Sequence, residues 1–89
     1  MSVRIKLVNR AGDYFRAYVH TTFDRLVKVF GRPNVDDDPA KVEASWGVKL
    51  DGLFIGIWCY KEPAATCTSW SVYYDDPRAL EKLNQLLGN

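Results

Sequence analysis

The sequence predicts an α+β domain in which a five-stranded antiparallel sheet carries two helices on one face. Four short segments alternate apolar and polar residues, as strands with one buried face do, and residues 53–60 run back from a turn as a fifth strand. Two other segments repeat apolar residues at helical spacing. These segments follow one another in the order ββαβββα. Two amphipathic helices and one sheet share a core most simply when both helices lie on the same face, which leaves the opposite face of the sheet open.

Composition places the chain among globular proteins. Its 89 residues are enough for one core, so we expect a single domain over residues 1–89. A formal net charge of +1 gives no overall preference for nucleic acid. The longest apolar run, residues 53–59, is shorter than the roughly 18 residues of a membrane span. The first residues also lack the apolar block of a signal peptide. We therefore expect a cytoplasmic protein with no membrane partner.

The first two strands are predicted to pair as a hairpin. Residues 2–8 and 14–20 both alternate, and residues 9–13 between them have a turn-like composition. The core face would hold Val3, Ile5, Leu7, Phe15, Ala17 and Val19. The open face would hold Arg4, Lys6, Tyr14, Arg16, Tyr18 and His20.

Both helices have recognisable ends. In the first helix Thr21 is the expected N-cap, Asp24 takes the capping-box position, and Gly31 ends the helix. Its buried stripe would be Phe23, Leu26, Val27 and Phe30. In the last helix Asp76 is the expected N-cap and Pro77 the first helical residue. Its apolar repeat is Leu80, Leu83 and Leu87, and Gly88 ends it.

The central hairpin, from Lys41 to Tyr60, is the most informative segment. The pair Asp51-Gly52 is the strongest short-range signal for a two-residue turn between strands. Pairing outward from this turn gives a core face of Ala44, Trp46, Val48, Ile55, Ile57 and Cys59. On the open face it pairs Lys49 with Phe54, Gly47 with Gly56, Ser45 with Trp58, and Glu43 with Tyr60.

A sheet face that meets only water should be polar, but this open face carries several aromatic side chains around small glycine and serine residues. The fifth strand, residues 68–74, adds Ser69, Ser71 and Tyr73 to this face and sends Trp70, Val72 and Tyr74 to the core. Glycine opposite glycine weakens a sheet and often marks the close approach of another group. The pattern therefore indicates a contact surface, without naming what lies on it.

Three interpretations of the open face compete. The aromatic residues could be ordinary strand formers shielded by the loop Gly31–Ala40 or the connector Lys61–Cys67. They could form an interface with a protein, including a homodimer in which two sheets pack face to face. They could also stack on the bases of single-stranded nucleic acid or on a nucleotide.

The leading hypothesis is a non-enzymatic binding protein that uses the open face, and nucleic acid or nucleotide binding is the alternative. Aromatic anchors and flanking cations make up the predicted site: Trp58, Tyr60, Tyr73, Phe54, Tyr18, Arg4, Lys6 and Arg16. The expected partner is a protein or a protein–nucleic acid complex.

No catalytic, metal or cofactor site is predicted. The run Asp36 to Asp38 lacks the spacing of a calcium loop. His20 is the single histidine and has no nucleophile motif beside it. Cys59 and Cys67 are expected to be free thiols, although a disulfide between them is geometrically conceivable.

Residues 23–87 resemble small bacteriophage-encoded accessory proteins, including anti-CRISPR proteins. The residues that carry the resemblance are Phe23, Leu26, Phe30-Gly31, Pro33, Lys41-Val42, Trp46, Asp51-Gly52, Ile57-Trp58, Tyr60-Lys61, Trp70, Ala79-Leu80 and Leu83. They are mainly structural, so they bear on the fold more than on an activity. The resemblance implies a short cytoplasmic protein, expressed in infected bacteria, that blocks or sequesters a host component.

Overall fold

The computed structural model describes residues 2–36 and 42–89 and confirms the α+β architecture. Its elements are β1 (Ile5–Leu7), β2 (Ala17–His20), α1 (Phe23–Phe30), β3 (Val42–Leu50), β4 (Leu53–Tyr60), a 3₁₀ turn (Ala64–Thr66), β5 (Ser69–Tyr74) and α2 (Pro77–Leu87). Within the two described ranges, neither helix has the length and apolar character needed to cross a membrane. Three residues named in the sequence analysis lie outside these ranges. They are Asp37 and Asp38 of the aspartate run, and Lys41 at the start of the central hairpin.

The sheet is antiparallel and its strand order is β1-β3-β4-β5-β2. The predicted hairpin between the first two strands is therefore wrong, because β1 pairs with β3 and β2 pairs with β5 at the opposite edge. Alternation identifies a strand and its buried face, whereas the neighbour of a strand depends on the path of the chain. Four strand spacings of about 4.8 Å separate β1 from β2 by roughly 19 Å.

The central hairpin has the predicted register over most of its length. Trp46 lies opposite Ile57, and Gly47 lies opposite Gly56. Asp51 and Gly52 both have positive φ angles, 52° and 83°, as the mirror-image turn requires. A bulge between residues 42 and 45 shifts the far end, so that Tyr60 lies opposite Val42 instead of Glu43.

Both helices pack on the face of the sheet that the sequence assigns to the core. The fully buried centre of this layer contains Leu26 of α1, Leu83 of α2 and Trp46 of β3. On the edge strand β1, Ile5 and Leu7 point to this face but stay 40% and 49% exposed, since neither helix extends over them. The 3₁₀ turn also joins the helix side through Ala64, so the connector does not shield the open face.

The helix ends follow the sequence signals with one change. The N-cap of α1 is Thr22, whose Oγ1 accepts a hydrogen bond from the Arg25 amide at 3.1 Å, and not Thr21. Asp76 caps α2 as predicted, accepting from the Arg78 amide at 2.9 Å. Gly88 ends α2 in the left-handed conformation.

Candidate binding surface

Residues 8–16, called here the crossing segment, run across the open face of the sheet and join its two edges. The segment leaves β1 with the Val8 amide donating to the Gly47 carbonyl of β3 at 3.0 Å. It then passes Gly56 of β4 at Gly12. It reaches β5 where the Arg16 amide donates to the Val72 carbonyl at 2.9 Å, and β2 follows. The connection between strands at opposite edges therefore covers the middle of a face that was expected to be open.

The absence of side chains at Gly47 and Gly56 makes room for the crossing segment. A Cβ on Gly47 would come within 2.5 Å of the Val8 carbonyl oxygen. A Cβ on Gly56 would lie 2.8 Å from both the amide nitrogen and the Cα of Gly12. Real Cβ atoms do not approach backbone atoms so closely, so both positions require glycine. The close approach predicted from these glycines is confirmed, and the approaching group is the protein's own chain.

Two predicted anchors, Phe54 and Tyr73, are buried beneath the crossing segment, with 3% and 6% of their surface exposed. Their assignment to an open surface is corrected accordingly. The Arg10 guanidinium lies 3.9 Å from the centre of the Phe54 ring and forms ion pairs with Asp13 and Asp75, each at 3.3 Å. Arg10 thus holds the crossing segment over the sheet by stacking and by charge.

Tyr73 has its hydroxyl group fixed as well as its ring. The hydroxyl donates a hydrogen bond to Asp75 Oδ1 at 2.5 Å, and the Tyr14 ring packs edge-on against the Tyr73 ring at 5.0 Å. The hydrogen bond to Asp75, with burial adding to it, raises the pKa of Tyr73 to about 12. The same hydrogen bond lowers the pKa of Asp75. Tyr73 therefore acts as a structural support beneath the crossing segment, whereas Tyr14 remains 58% exposed.

An aromatic surface lies beside the covered part of the open face. It is made of Tyr18, Trp58 and Tyr60 on the sheet and of Phe15 near the end of the crossing segment. Tyr18 is 60% exposed, and Phe15 and Tyr60 are each 50% exposed. The Phe15 and Tyr18 rings lie against each other with centroids 4.7 Å apart. Trp58 is half-buried because Gly12 of the crossing segment packs against its ring. Of the predicted aromatic anchors, Tyr18, Trp58 and Tyr60 therefore remain candidates.

The register shows how these aromatic side chains are spaced. Tyr18 lies opposite Ser71, which in turn lies opposite Trp58. Two strand spacings, about 10 Å, therefore separate the backbones that carry the two aromatic side chains. Ser71, which lies between them, is itself buried, with 9% of its surface exposed.

Cations flank the aromatic surface. The Lys61 ammonium lies 5.3 Å from the centre of the Tyr60 ring. Arg16 sits over the Tyr74 ring at 4.7 Å and donates to the Tyr74 carbonyl at 3.5 Å. His20 Nδ1 lies 3.0 Å from Ser69 Oγ, and both side chains are exposed. Lys61 therefore lies directly beside the aromatic surface, and His20 and Ser69 add hydrogen-bonding groups, whereas Arg16 contacts Tyr74, which packs against the core.

Arg4 and Lys6, the remaining predicted site residues, lie at the other edge of the sheet. Together with Lys49 they form a cationic edge, in which Lys6 lies directly opposite Lys49. None of the three forms an ion pair among the described residues. The Asp51 carboxylate at the adjoining turn accepts from the Arg4 amide at 2.8 Å and binds the Lys82 ammonium at 2.9 Å.

The structure thus divides the predicted site into three parts. One part is the aromatic surface with Arg16 beside it, one is the cationic edge, and one is the buried pair Phe54 and Tyr73. Sequence reasoning missed Phe15, which its alternation assigned to the core. It also missed Lys49 as the partner of Lys6, since that pairing follows from the strand order. The chain matches no protein-family model, no curated protein and no solved structure.

Proposed function

We propose that this protein is a non-enzymatic binding protein whose aromatic surface docks onto another protein. The observation that carries the proposal is the exposure of Phe15, Tyr18 and Tyr60 by half or more on a sheet whose other face is packed. Large aromatic side chains supply much of the energy of protein interfaces when a partner removes them from water. Because they sit on a hydrogen-bonded sheet, little backbone order has to be gained on binding.

The charge at the rim indicates the chemistry of the partner. Lys61 lies directly beside the aromatic surface. A complementary surface would combine apolar side chains with acidic residues around them. Complementary charge at the rim affects the association rate and the choice of partner more than the final affinity.

The resemblance to phage accessory proteins gives the proposal a biological setting. A phage-encoded protein of this kind would act in the host bacterial cytoplasm, where it would block or sequester a component of host defence. A CRISPR effector is the most specific version of this target. The aromatic surface supports stoichiometric blocking, since such a surface excludes other ligands from the site it covers.

Comparative affinity capture from nuclease-treated host lysate tests the proposal. Tyr18→Ala should lower the affinity of any specific partner at least about tenfold, the loss typical of an interface anchor. Leu7→Ala is the matched control, because Leu7 is equally exposed but lies at the opposite edge of the sheet. Equal recovery of the same partner with both variants would contradict docking at the aromatic surface.

A second copy of this chain is the competing occupant of the surface. Sedimentation of the purified protein over a range of concentrations measures this directly. If Tyr18→Ala dissociates a dimer that Leu7→Ala leaves intact, the surface serves self-association and not binding of a different protein. A monomer at all concentrations leaves the surface free for a different protein.

Polyanion binding at the cationic edge is a second candidate function, favoured by the Lys6–Lys49 pair. Like charges directly opposite each other destabilise a sheet. Arg4 adds a third positive charge on the same face. A phosphate backbone would neutralise all three cations. The roughly 19 Å between this edge and Tyr18 separates phosphate contacts from base stacking, so this candidate does not use the aromatic surface.

Salt dependence of binding to a single-stranded oligonucleotide tests the second candidate. Three phosphate contacts at about 0.7 each predict a slope of roughly −2 for log affinity against log salt concentration. Lys6→Glu should weaken binding and, by creating an opposite-charge pair with Lys49, stabilise the fold by about 0.2–1 kcal/mol. Lys28→Glu makes the same charge change on the exposed side of α1. Equal loss of binding in both variants would contradict a localised site.

A further inference from the structure

We infer that Cys59, Glu62 and Cys67 form a binding site for a thiophilic divalent cation such as Zn²⁺, at the connection between β4 and β5. One ligand atom from each residue, two sulfurs and a carboxylate oxygen, lies within 4.8 Å of the others. Both thiols are buried, whereas Glu62 is exposed at the entrance. The inference concerns the end of the sheet and is independent of the proposed docking function.

Two tight turns of the connection bring these donors together. Lys61 has φ of 53°, a left-handed conformation that side-chain-bearing residues rarely adopt, and the resulting turn folds Glu62 back toward Cys59. The 3₁₀ turn then returns the chain, with the Cys67 amide donating to the Ala64 carbonyl at 3.2 Å. A strained conformation at a non-glycine residue is a recognised mark of a functional turn.

The dimensions suit tetrahedral zinc. Sulfur ligands lie about 2.3 Å from zinc, so two sulfurs on a tetrahedral ion are about 3.8 Å apart. The donor atoms therefore need to close by about 1 Å at most, which rotation of the side chains provides. Three protein ligands leave one position for water, as in open zinc sites. At present the Cys59 thiol donates to the Glu62 carbonyl at 3.1 Å and the Cys67 thiol to the Ser69 carbonyl at 3.3 Å.

The charges around the thiols also favour a cation. Glu62 and Glu43 place two carboxylates near the Cys59 thiol. These carboxylates form no ion pair within the described part of the chain. Their negative potential stabilises a divalent ion. On binding, two S–H bonds lose their protons to solvent and two metal–sulfur bonds form.

Titration of the reduced, metal-stripped full chain with Cd²⁺ tests the inference. The expected result is a thiolate-to-metal charge-transfer band that saturates at one ion per chain, with two protons released per ion. Zn²⁺ in excess should compete with Cd²⁺ for the same site, and either ion should raise the melting temperature. A reduced protein that develops no band at excess Cd²⁺ would overturn the inference.

Variants locate the ion, and the first of them changes an exposed residue. Glu62→Gln, at an exposed position, should weaken Cd²⁺ binding at least about tenfold. Losing a residue that only supports a metal ligand already costs about that much affinity, and Glu62 is a proposed ligand itself. Glu81→Gln, exposed on α2, is the matched control and should bind as the unaltered protein does. Cys67→Ser should abolish the saturating band. An affinity that Glu62→Gln leaves unchanged would overturn the three-ligand site.

Discussion

At the residue scale, glycine at positions 47 and 56 allows the backbone of the crossing segment to lie directly on the sheet. Their pairing across β3 and β4 follows directly from the turn at Asp51-Gly52. The need for glycine at these positions comes from the crossing segment, whose backbone takes the space of both Cβ atoms. The sequence thus marks a close contact, and the structure supplies its partner.

Gly47→Ala should test this contact. The added methyl group meets the Val8 and Arg10 carbonyl oxygens, so the crossing segment has to shift. Overfilling a packed position typically costs about 1–3 kcal/mol of unfolding free energy, measurable by urea unfolding. Lys49→Ala, at an exposed position of the same strand, is the control and should change stability little. Equal stability of Gly47→Ala and the unaltered protein would contradict the close packing.

The Tyr73–Asp75 hydrogen bond predicts a stability loss in alkali. The pKa of Tyr73 in the folded protein is about 12, above its ordinary value of about 10. A raised pKa favours the folded state below pH 10, and this contribution disappears as pH rises from about 10 to 12. Ultraviolet titration should show one tyrosine ionising late.

Asp75→Asn should bring that late ionisation back toward the ordinary range, because the acceptor loses its charge. Asp24→Asn, in the first turn of α1, is the control and should leave the titration curve unchanged. Identical curves for Asp75→Asn and the unaltered protein would show that another cause delays the ionisation of Tyr73.

At the level of elements, the two edge strands show that alternation predicts the face on which a side chain lies but not the neighbour of the strand. Ile5 and Leu7 of β1 point to the helix face, as predicted, yet they remain substantially exposed at the edge. Tyr18 of β2 points to the open face, also as predicted. The pairing of β1 with β2 was wrong, since a short turn-like stretch suggested a hairpin where the chain instead crosses the whole sheet.

Helix α1 offers a direct comparison of two candidate caps. Thr22→Ala removes the side-chain acceptor of the Arg25 amide and should cost about 1 kcal/mol of stability. Thr21→Ala is the matched control: the hydrogen bonds of Thr21 use its backbone amide and carbonyl, which alanine retains. Urea unfolding midpoints measure both. A larger loss in Thr21→Ala would restore the cap predicted from sequence.

For the molecule as a whole, stability depends on the helix-side core. Trp46 is fully buried, its ring packs against Trp70 at 5.5 Å, and its indole N–H donates to the Gly31 carbonyl at 2.9 Å. Trp46→Ala should cost about 3–5 kcal/mol in denaturant unfolding. Tyr60→Ala, half-exposed on the opposite face, should stay within about 0.5 kcal/mol of the unaltered protein. Similar losses in the two variants would contradict the division into a packed face and a binding face.

The sequence by itself determined the elements, the central register and the face on which each strand residue lies, because these follow from local periodicity and turn chemistry. It also indicated a contact over Gly47 and Gly56. Only the tertiary structure decided which strands are neighbours, and therefore that residues 8–16 bury Phe54 and Tyr73 while leaving Tyr18 and Tyr60 in solvent. The physical reason is that alternation specifies the side of a sheet, whereas coverage of that side depends on the path of a connection through space.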